Sequence, residues 1–249
     1  MSIDLPLEPH IPDLASDPAA AAARGAALIA EATANGADHI ELARLSVQWA
    51  HRTFASLVLM SSMGDEALVH LAARAAPGLQ VAFIDTGYHF PETVGTADAY
   101  AATQPLRLLT VTPVQTVAEQ DAQYGPELHR RDPDLCCRLR KVEPLERTLA
   151  GRQAWITGMR RVDAPTRSDI EIIGVDHKRA MVKVNPLALW TDEQTQHYAR
   201  DHAVLLNPLR QSGYASIGCA PCTRATAPGE DPRAGRWSGS GKTECGLHV

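Results

Sequence analysis

Aromatic side chains are scarce in this 249-residue sequence, where Phe, Trp and Tyr together make up 5%. A core must therefore be built mainly from Ala, Leu, Val and Ile, although hydrophobic content overall is an ordinary 45%. No uncharged apolar run reaches the roughly 18 residues of a membrane span. Even the Ala-rich stretch 19–34 is interrupted by Arg24 and Glu31. Met1-Ser2-Ile3-Asp4-Leu5-Pro6 has no basic region leading into an apolar one, so no secretory signal is expected and the expected location is cytoplasmic. A positive excess is missing too. The formal net charge of −5 argues against general binding to nucleic acid or anionic lipid. Cysteines number only five, and in a reducing compartment a cysteine is usually a ligand or a reagent.

What is present alternates between strand-like and helix-like patterns. Residues 17–34 read as an Ala-rich helix, with Asp17 as cap and Pro18 at the first helical position. Short apolar runs at 54–59, 81–84, 106–111 and 154–157 read as buried parallel strands. Helical patterns follow at 66–74, 91–102 and from about Pro113. Segments 169–173 and 180–184 flank a charged turn and read as a hairpin, and Thr191 caps a helix running to about His202. Such alternation implies an α/β protein with a doubly wound, mostly parallel sheet. Beyond Cys222 the sequence turns rich in Gly, Pro and charge, so the expected organisation is one α/β domain over 1–222 and a mobile C-terminal tail over 223–249.

Charge is unevenly placed. Residues 129–167 hold ten Arg and Lys against five Asp and Glu, a basic island in an acidic chain. This is the pattern of a small anionic ligand, or simply of a solvated basic face. Three polar, glycine-containing loops (61–64, 85–87 and 158–161) each follow directly on a strand pattern. Ligands of open α/β sheets sit beyond the carboxyl ends of the strands, so these loops outline a nucleotide pocket.

The cysteines sort into a vicinal pair, Cys136 and Cys137, a C-x-x-C pair, Cys219 and Cys222, and the singleton Cys245. Two pairs point to structural zinc, to an iron–sulfur cluster, or to unrelated buried thiols. Around one zinc ion the ligand sulfurs stand roughly 3.8 Å apart. Neighbouring helical residues diverge by about 100°, which strains that arrangement. A cubane spreads its thiolates over four iron corners and accepts a vicinal pair more easily. Cys245 lies in Lys242-Thr-Glu-Cys-Gly-Leu-His248, where Lys242 and His248 can favour the nucleophilic thiolate, although a lone tail cysteine can equally be an exposed thiol of no special role.

Several motifs recur in order: Ser-Ser-x-Gly (61–64), Asp-Thr-Gly-x-x-Phe-Pro-Glu-Thr (85–93), Cys-Cys-x-x-Arg-Lys-Val-x-Pro-Leu (136–145) and Arg-Arg-x-x-x-Pro-Thr-Arg (160–167). Asn-Pro-Leu-x-x-Trp-Thr (185–191), Gly-Tyr-x-Ser-Ile-Gly-Cys-Ala-Pro-Cys-Thr-Arg (213–224), Gly-Glu-Asp-x-Arg-Ala-Gly-Arg-Trp (229–237) and the 242–248 motif complete the series. Over about residues 50–248 the chain resembles the adenylyl sulfate (APS) and phosphoadenylyl sulfate (PAPS) reductases.

The resemblance implies an adenine-nucleotide-hydrolase-like fold and reduction of APS to sulfite and AMP in sulfate assimilation. It implies Cys245 as the nucleophile that forms an S-sulfocysteine, and thioredoxin or glutaredoxin as reductant. It implies one 4Fe–4S cluster on Cys136, Cys137, Cys219 and Cys222. Phosphosulfate contacts fall to Lys141, Arg233, Arg236 and His248, and adenosine and phosphate contacts to Ser61, Ser62, Gly64, Gly158 and Arg167. A homo-oligomer is also implied. The four-cysteine pattern is that of APS-using members, with a PAPS or dual-specificity enzyme as alternative. A tRNA thiolation enzyme and a redox-sensing cluster protein are the more distant readings. Two departures stand out. The pyrophosphatase-type loop lysine is missing, since Gly64 is followed by Asp65-Glu66, and Asp163 stands where an amide is common in the family.

Overall fold

The computed structural model describes residues 17–237 together with Lys242 and Gly246. Helix α1 (Pro18–Ala34) starts as expected, with the Asp17 carboxylate accepting from the backbone N–H groups of Ala19 and Ala20. Helix α2 (His39–Thr53) is an element the sequence reading assigns to nothing. Asp38 caps it by accepting from Glu41 N–H, and Leu42, Leu45 and Trp49 bury its inner face. The two helices meet closely at Gly25, where a Cβ would stand 2.7 Å from the Trp49 ring.

Strand β1 (Leu57–Ser61) begins three residues later than the pattern predicts. Phe54 instead caps α2 and sets its ring edge-on to Trp49, 5.5 Å between centroids. There follow α3 (Glu66–Ala75), β2 (Leu79–Ile84), α4 (Pro91–Thr103) and β3 (Leu106–Val111), all close to expectation. Helix α5 (Val117–Tyr124) starts four residues after Pro113 because Thr116 and Glu119 form a capping box there. Helices α6 (Leu128–Arg131) and α7 (Pro133–Cys137), a wide π-type turn over Arg138–Val142, and α8 (Glu143–Leu149) lead to β4 (Ala154–Ile156). The hairpin is present but shifted: β5 (Ile173–Asp176) pairs antiparallel with β6 (Met181–Val184). Helix α9 (Asp192–Asp201) carries the predicted Thr191 cap, completed by Gln194.

The sheet runs β3-β2-β1-β4-β6-β5, parallel except for β5. Alternate residues serve opposite faces. Leu57, Leu59, Val81, Phe83 and Ile156 join the core beneath α1–α4 and α9, whereas Val58, Met60, Ala82, Ile84 and Trp155 pack with Leu145 and Leu149 of α8. The few aromatic residues are placed economically: Trp155, Trp190, Tyr100 and Phe83 are among the largest fully buried side chains. From β1 the chain winds outward through β2 and β3, then returns to place β4 on the other side of β1. The β1/β4 boundary is thus the switch point at which ligands of such sheets bind.

Packing continues past residue 222. Thr223 bridges to Arg236, Trp237 N–H donates to Cys222 C=O at 2.8 Å, and Trp237 is buried. The tail expected over 223–249 lies outside the described residues beyond 237, Lys242 and Gly246 excepted. Among the described residues no helix is long and apolar enough to cross a membrane.

Candidate active site

A cleft of about 1010 Å³ opens at the carboxyl ends of the central strands. Ser61, Ser62, Gly64 and Gly158 line it at the switch point, and Arg167, Lys141, Arg233 and Arg236 line it as well. All eight described polar and glycine positions singled out for substrate therefore face one space.

At the switch point the Ser61 hydroxyl donates to the Asp65 carboxylate at 2.5 Å and accepts from Met63 N–H at 3.0 Å. Asp65 turns toward Gly158, where a Cβ would stand 2.7 Å from its Oδ2. Gly158 is therefore required by the neighbouring carboxylate as much as by any ligand. Withdrawal from water raises the Asp65 carboxyl to about 6, against the lowering effect of the Ser61 hydrogen bond. The following residue, Glu66, is buried and paired with Arg210 at 3.2 Å, and it accepts from Asn207 N–H, tying this loop to the segment that leads into Cys219.

The β4 side of the cleft carries a charged network. Arg160 Nη2 contacts Asp163 Oδ1 at 2.7 Å and Asp192 Oδ1 at 2.8 Å, and Arg167 Nη1 contacts Asp163 Oδ2 at 3.3 Å. Lys141 and Arg236 stand close to His89, just after β2, and Arg233 shares the Trp237 ring with Arg236. Arg236 donates to Ser216 Oγ and to Ile217 C=O, and its guanidinium lies over the Trp237 ring, 4.6 Å from the centroid. Gly218 makes room for it, since a Cβ there would stand 2.5 Å from Arg236 Nη2. His89, also on the cleft, bonds Ile84 C=O through Nε2 at 3.0 Å, which requires the proton on that nitrogen. Burial chiefly, with Lys141 and Arg236 nearby, holds its pKa down to about 4, so the ring is neutral.

A second, much smaller cavity of about 10 Å³ adjoins the cleft, and Cys136, Cys137, Cys219 and Cys222 all line it. The loop after β2 brings the two pairs together. On one side Arg140, 3% exposed, donates to Thr86 C=O, to Gln120 Oε1 at 3.1 Å and to Gln115 C=O at 3.3 Å. It thereby pins the Cys136–Cys137 segment against 85–87. On the other side Cys219 bridges to His89, Ala220 N–H donates to Tyr88 C=O at 2.7 Å, and Cys219 Sγ lies 3.2 Å from Thr86 Oγ1. Burial, and the mutual proximity of the other three thiols, push the Cys136 thiol up to about 12. Lys141 and Trp237 line both cavities. The π-type turn places Lys141 there, and such wide turns often mark functional positions. Among the described residues, no three His, Cys, Asp or Glu side chains are arranged to hold a metal ion.

Cys245 and His248 lie outside the described residues. Two residues near Cys245 in sequence are placed. Lys242 pairs with Asp134 at 2.5 Å, and a Cβ on Gly246 would stand 3.8 Å from Val142. Lys242 thus contacts the segment that carries Cys136, Cys137 and Lys141, and Gly246 faces the same segment at Val142. Residues absent from the sequence-based site but central here are Asp65, His89, Arg140, Arg160 and Trp237. Arg140, Arg160 and Trp237 stand inside the quoted motifs. His89 falls at an unspecified position of the 85–93 motif and Asp65 directly follows the 61–64 motif, so neither carries a signal of its own; burial is what makes them notable.

The geometry has relatives. Proteins named adenosine 5′-phosphosulfate reductase include one from Streptomyces coelicolor, 58% identical over 203 residues that cover 81% of this chain and 86% of the relative. Another from Mycobacterium tuberculosis is 56% identical over 197 residues, 79% of this chain and 78% of the relative. Among solved structures, the phosphoadenylyl-sulfate (PAPS) reductase of Candida auris superposes with a TM-score of 0.63 at 29% identity, covering 73% of this chain and 90% of that one. Candida glabrata FMN adenylyltransferase shares the fold alone, at 14% identity and a TM-score of 0.54 over 81% of this chain and 74% of its own. Residues 56–225 match the phosphoadenosine phosphosulfate reductase domain, and the chain belongs to that family.

Proposed function

We propose that the chain reduces adenylyl sulfate to sulfite and AMP, with Cys245 as nucleophile and thioredoxin as the thiol donor. One observation carries the reading. A nucleotide-sized cleft with a cationic end shares Lys141 with a cavity lined by four cysteines. The names of the relatives at 56–58% identity support APS as the substrate.

In APS a phosphoryl group is joined through oxygen to an electrophilic sulfur. The Cys245 thiolate attacks that sulfur, the S–O bond breaks, and AMP leaves with the bonding pair. The enzyme is left as an S-sulfocysteine. A thioredoxin thiolate then attacks Cys245 Sγ, sulfite departs, and the second thioredoxin thiol resolves the mixed disulfide. Attack of an anion on an anionic substrate needs positive charge already in place. Lys141, Arg233 and Arg236 supply it at one end of the cleft, with His248 a further contributor from the tail. Arginine suits this task because its planar fork offers two donors to two oxygens at once. Ser61, Ser62, Gly64, Gly158 and Arg167 hold the nucleoside and its phosphate.

Cys136, Cys137, Cys219 and Cys222 supply the soft thiolate donors that a 4Fe–4S cluster takes, and all four line one cavity, although no three of them close round a single-ion position. Bound there, it would supply a local electrostatic field beside Lys141. The thiol exchange already accounts for both electrons.

The test is a thioredoxin-coupled assay with APS and PAPS side by side, together with Cys245→Ser. APS should give the far higher kcat/KM, and the Ser variant should bind APS yet release no sulfite, since a hydroxyl is scarcely ionised near neutral pH. Sulfite production by the Ser variant would remove the proposed nucleophile.

A further inference from the structure

The cleft is charged at two ends of different character. Lys141 and Arg236 stand close to His89, just after β2, and Arg233 shares the Trp237 ring with Arg236, so the three give the cleft a cationic end. On the β4 side Arg160 and Arg167 also face the cleft, but there two carboxylates answer two guanidiniums. Asp163 spans both arginines, at 2.7 Å and 3.3 Å, and Asp192 adds a second partner for Arg160 at 2.8 Å. Asp163 also accepts from the Arg160 backbone N–H at 3.2 Å. The side chains of Arg160, Arg167 and Asp163 are 18%, 10% and 18% exposed, so water screens this pairing less than it would a surface ion pair.

We infer that Asp163 is a specificity-determining residue, which makes this cleft reject adenylyl nucleotides carrying a phosphate on the ribose 3′ position. The inference rests on reading the cleft as an adenylyl sulfate site. With the phosphosulfate at the Lys141 end, the nucleoside extends past Ser61 and Gly158 toward residues 160–167. A 3′-phosphate on that side adds up to two negative charges and seeks arginine donors. Asp163 already engages Arg160 and Arg167, and its own charge repels the newcomer. Selectivity by a built-in repulsive element needs no contact with the preferred ligand.

The experiment uses the full chain and two product-like probes, AMP and adenosine 3′,5′-bisphosphate, with Kd measured by calorimetry. APS and PAPS kcat/KM values are taken alongside. The wild type should prefer AMP. Asp163→Asn should shrink that preference by at least about tenfold, or ~1.4 kcal/mol, mainly through tighter bisphosphate binding, and should move the PAPS/APS ratio the same way. Asp163→Glu keeps the charge and should keep the preference. If the Asn variant loses its cooperative thermal transition, Asp163→Ser takes its place with the same expectation. An unchanged ratio in a folded, AMP-binding neutral variant overturns the inference, and so does loss of the preference in Asp163→Glu. A wild-type chain that neither binds AMP nor reduces APS removes the functional reading itself, and the inference with it.

Discussion

Asp65 is a carboxylic acid held in a place that disfavours its charge, and this makes stability depend on pH in an unusual direction. Its carboxyl titrates near 6 in the fold and near 3.8 in the open chain. Between those values the folded state binds more proton than the unfolded state. Stability from this group is therefore fully present below about pH 3.8 and is lost as pH rises through about 6. Each tenfold change in proton affinity is worth about 1.4 kcal/mol, so the full loss is at most ~3 kcal/mol. Asp65→Asn removes the titration while keeping an oxygen that can accept from the Ser61 hydroxyl, 2.5 Å away in the wild type.

The variant will carry a constant offset from altered hydrogen bonding, of about 1–3 kcal/mol. What matters is how the difference between the two proteins changes with pH. Urea unfolding of both, at pH 5 and at pH 7.5, should show the variant gaining on the wild type by about 1–1.5 kcal/mol over that interval, the part of the linkage that falls within it. A difference that stays constant with pH, or one that moves against the variant on the alkaline side, would refute the assignment of a raised carboxyl to Asp65.

Incubating the intact enzyme with APS and no thioredoxin should add one SO₃ unit of about 80 Da, confined to Cys245 as the covalent mechanism requires; mapping it to Cys136, Cys137, Cys219 or Cys222 would undo the division of the thiols. Anaerobically purified protein should contain about four irons and four sulfides per chain, and one zinc without sulfide would eliminate the cluster. Lys141→Ala, Arg233→Ala and Arg236→Ala should each lower kcat/KM by the equivalent of roughly 2–4 kcal/mol, the usual effect of removing an oxyanion donor. Near-normal values in all three would dismantle the cationic end.

The elements of the fold were largely legible because their signals are local. Asp17 before Pro18, Thr191 before α9 and the apolar run of β3 each act within a few residues, and each element formed where its pattern lies. The misplacements are local contests as well. Phe54 belongs to the pattern of an apolar strand, but its ring packs on Trp49 and leaves it as the cap of α2. Helix α2 has a weak sequence signal although Asp38 caps it, because its apolar positions are interleaved with His, Arg and Gln. The four-plus-one sorting of the cysteines came from spacing, and the four described members do share a cavity.

The site beyond those thiols depended on contacts that no short window contains. Cys136 and Cys219 meet because the loop after β2 offers Thr86 C=O to Arg140 on one side and Tyr88 C=O to Ala220 on the other. Asp65 is an ordinary polar loop residue until β4 is placed beside β1 and Gly158 is brought against its carboxylate. Asp163, read from sequence only as a departure from a family amide, proves to be the shared partner of Arg160 and Arg167. Periodicity, caps and motif spacing are written along the chain, because backbone hydrogen bonding and side-chain direction repeat over a few residues. Burial, charge pairing and the perturbed acidity of Asp65 and His89 arise only when the strand order sets residues far apart in sequence against one another and removes water from between them.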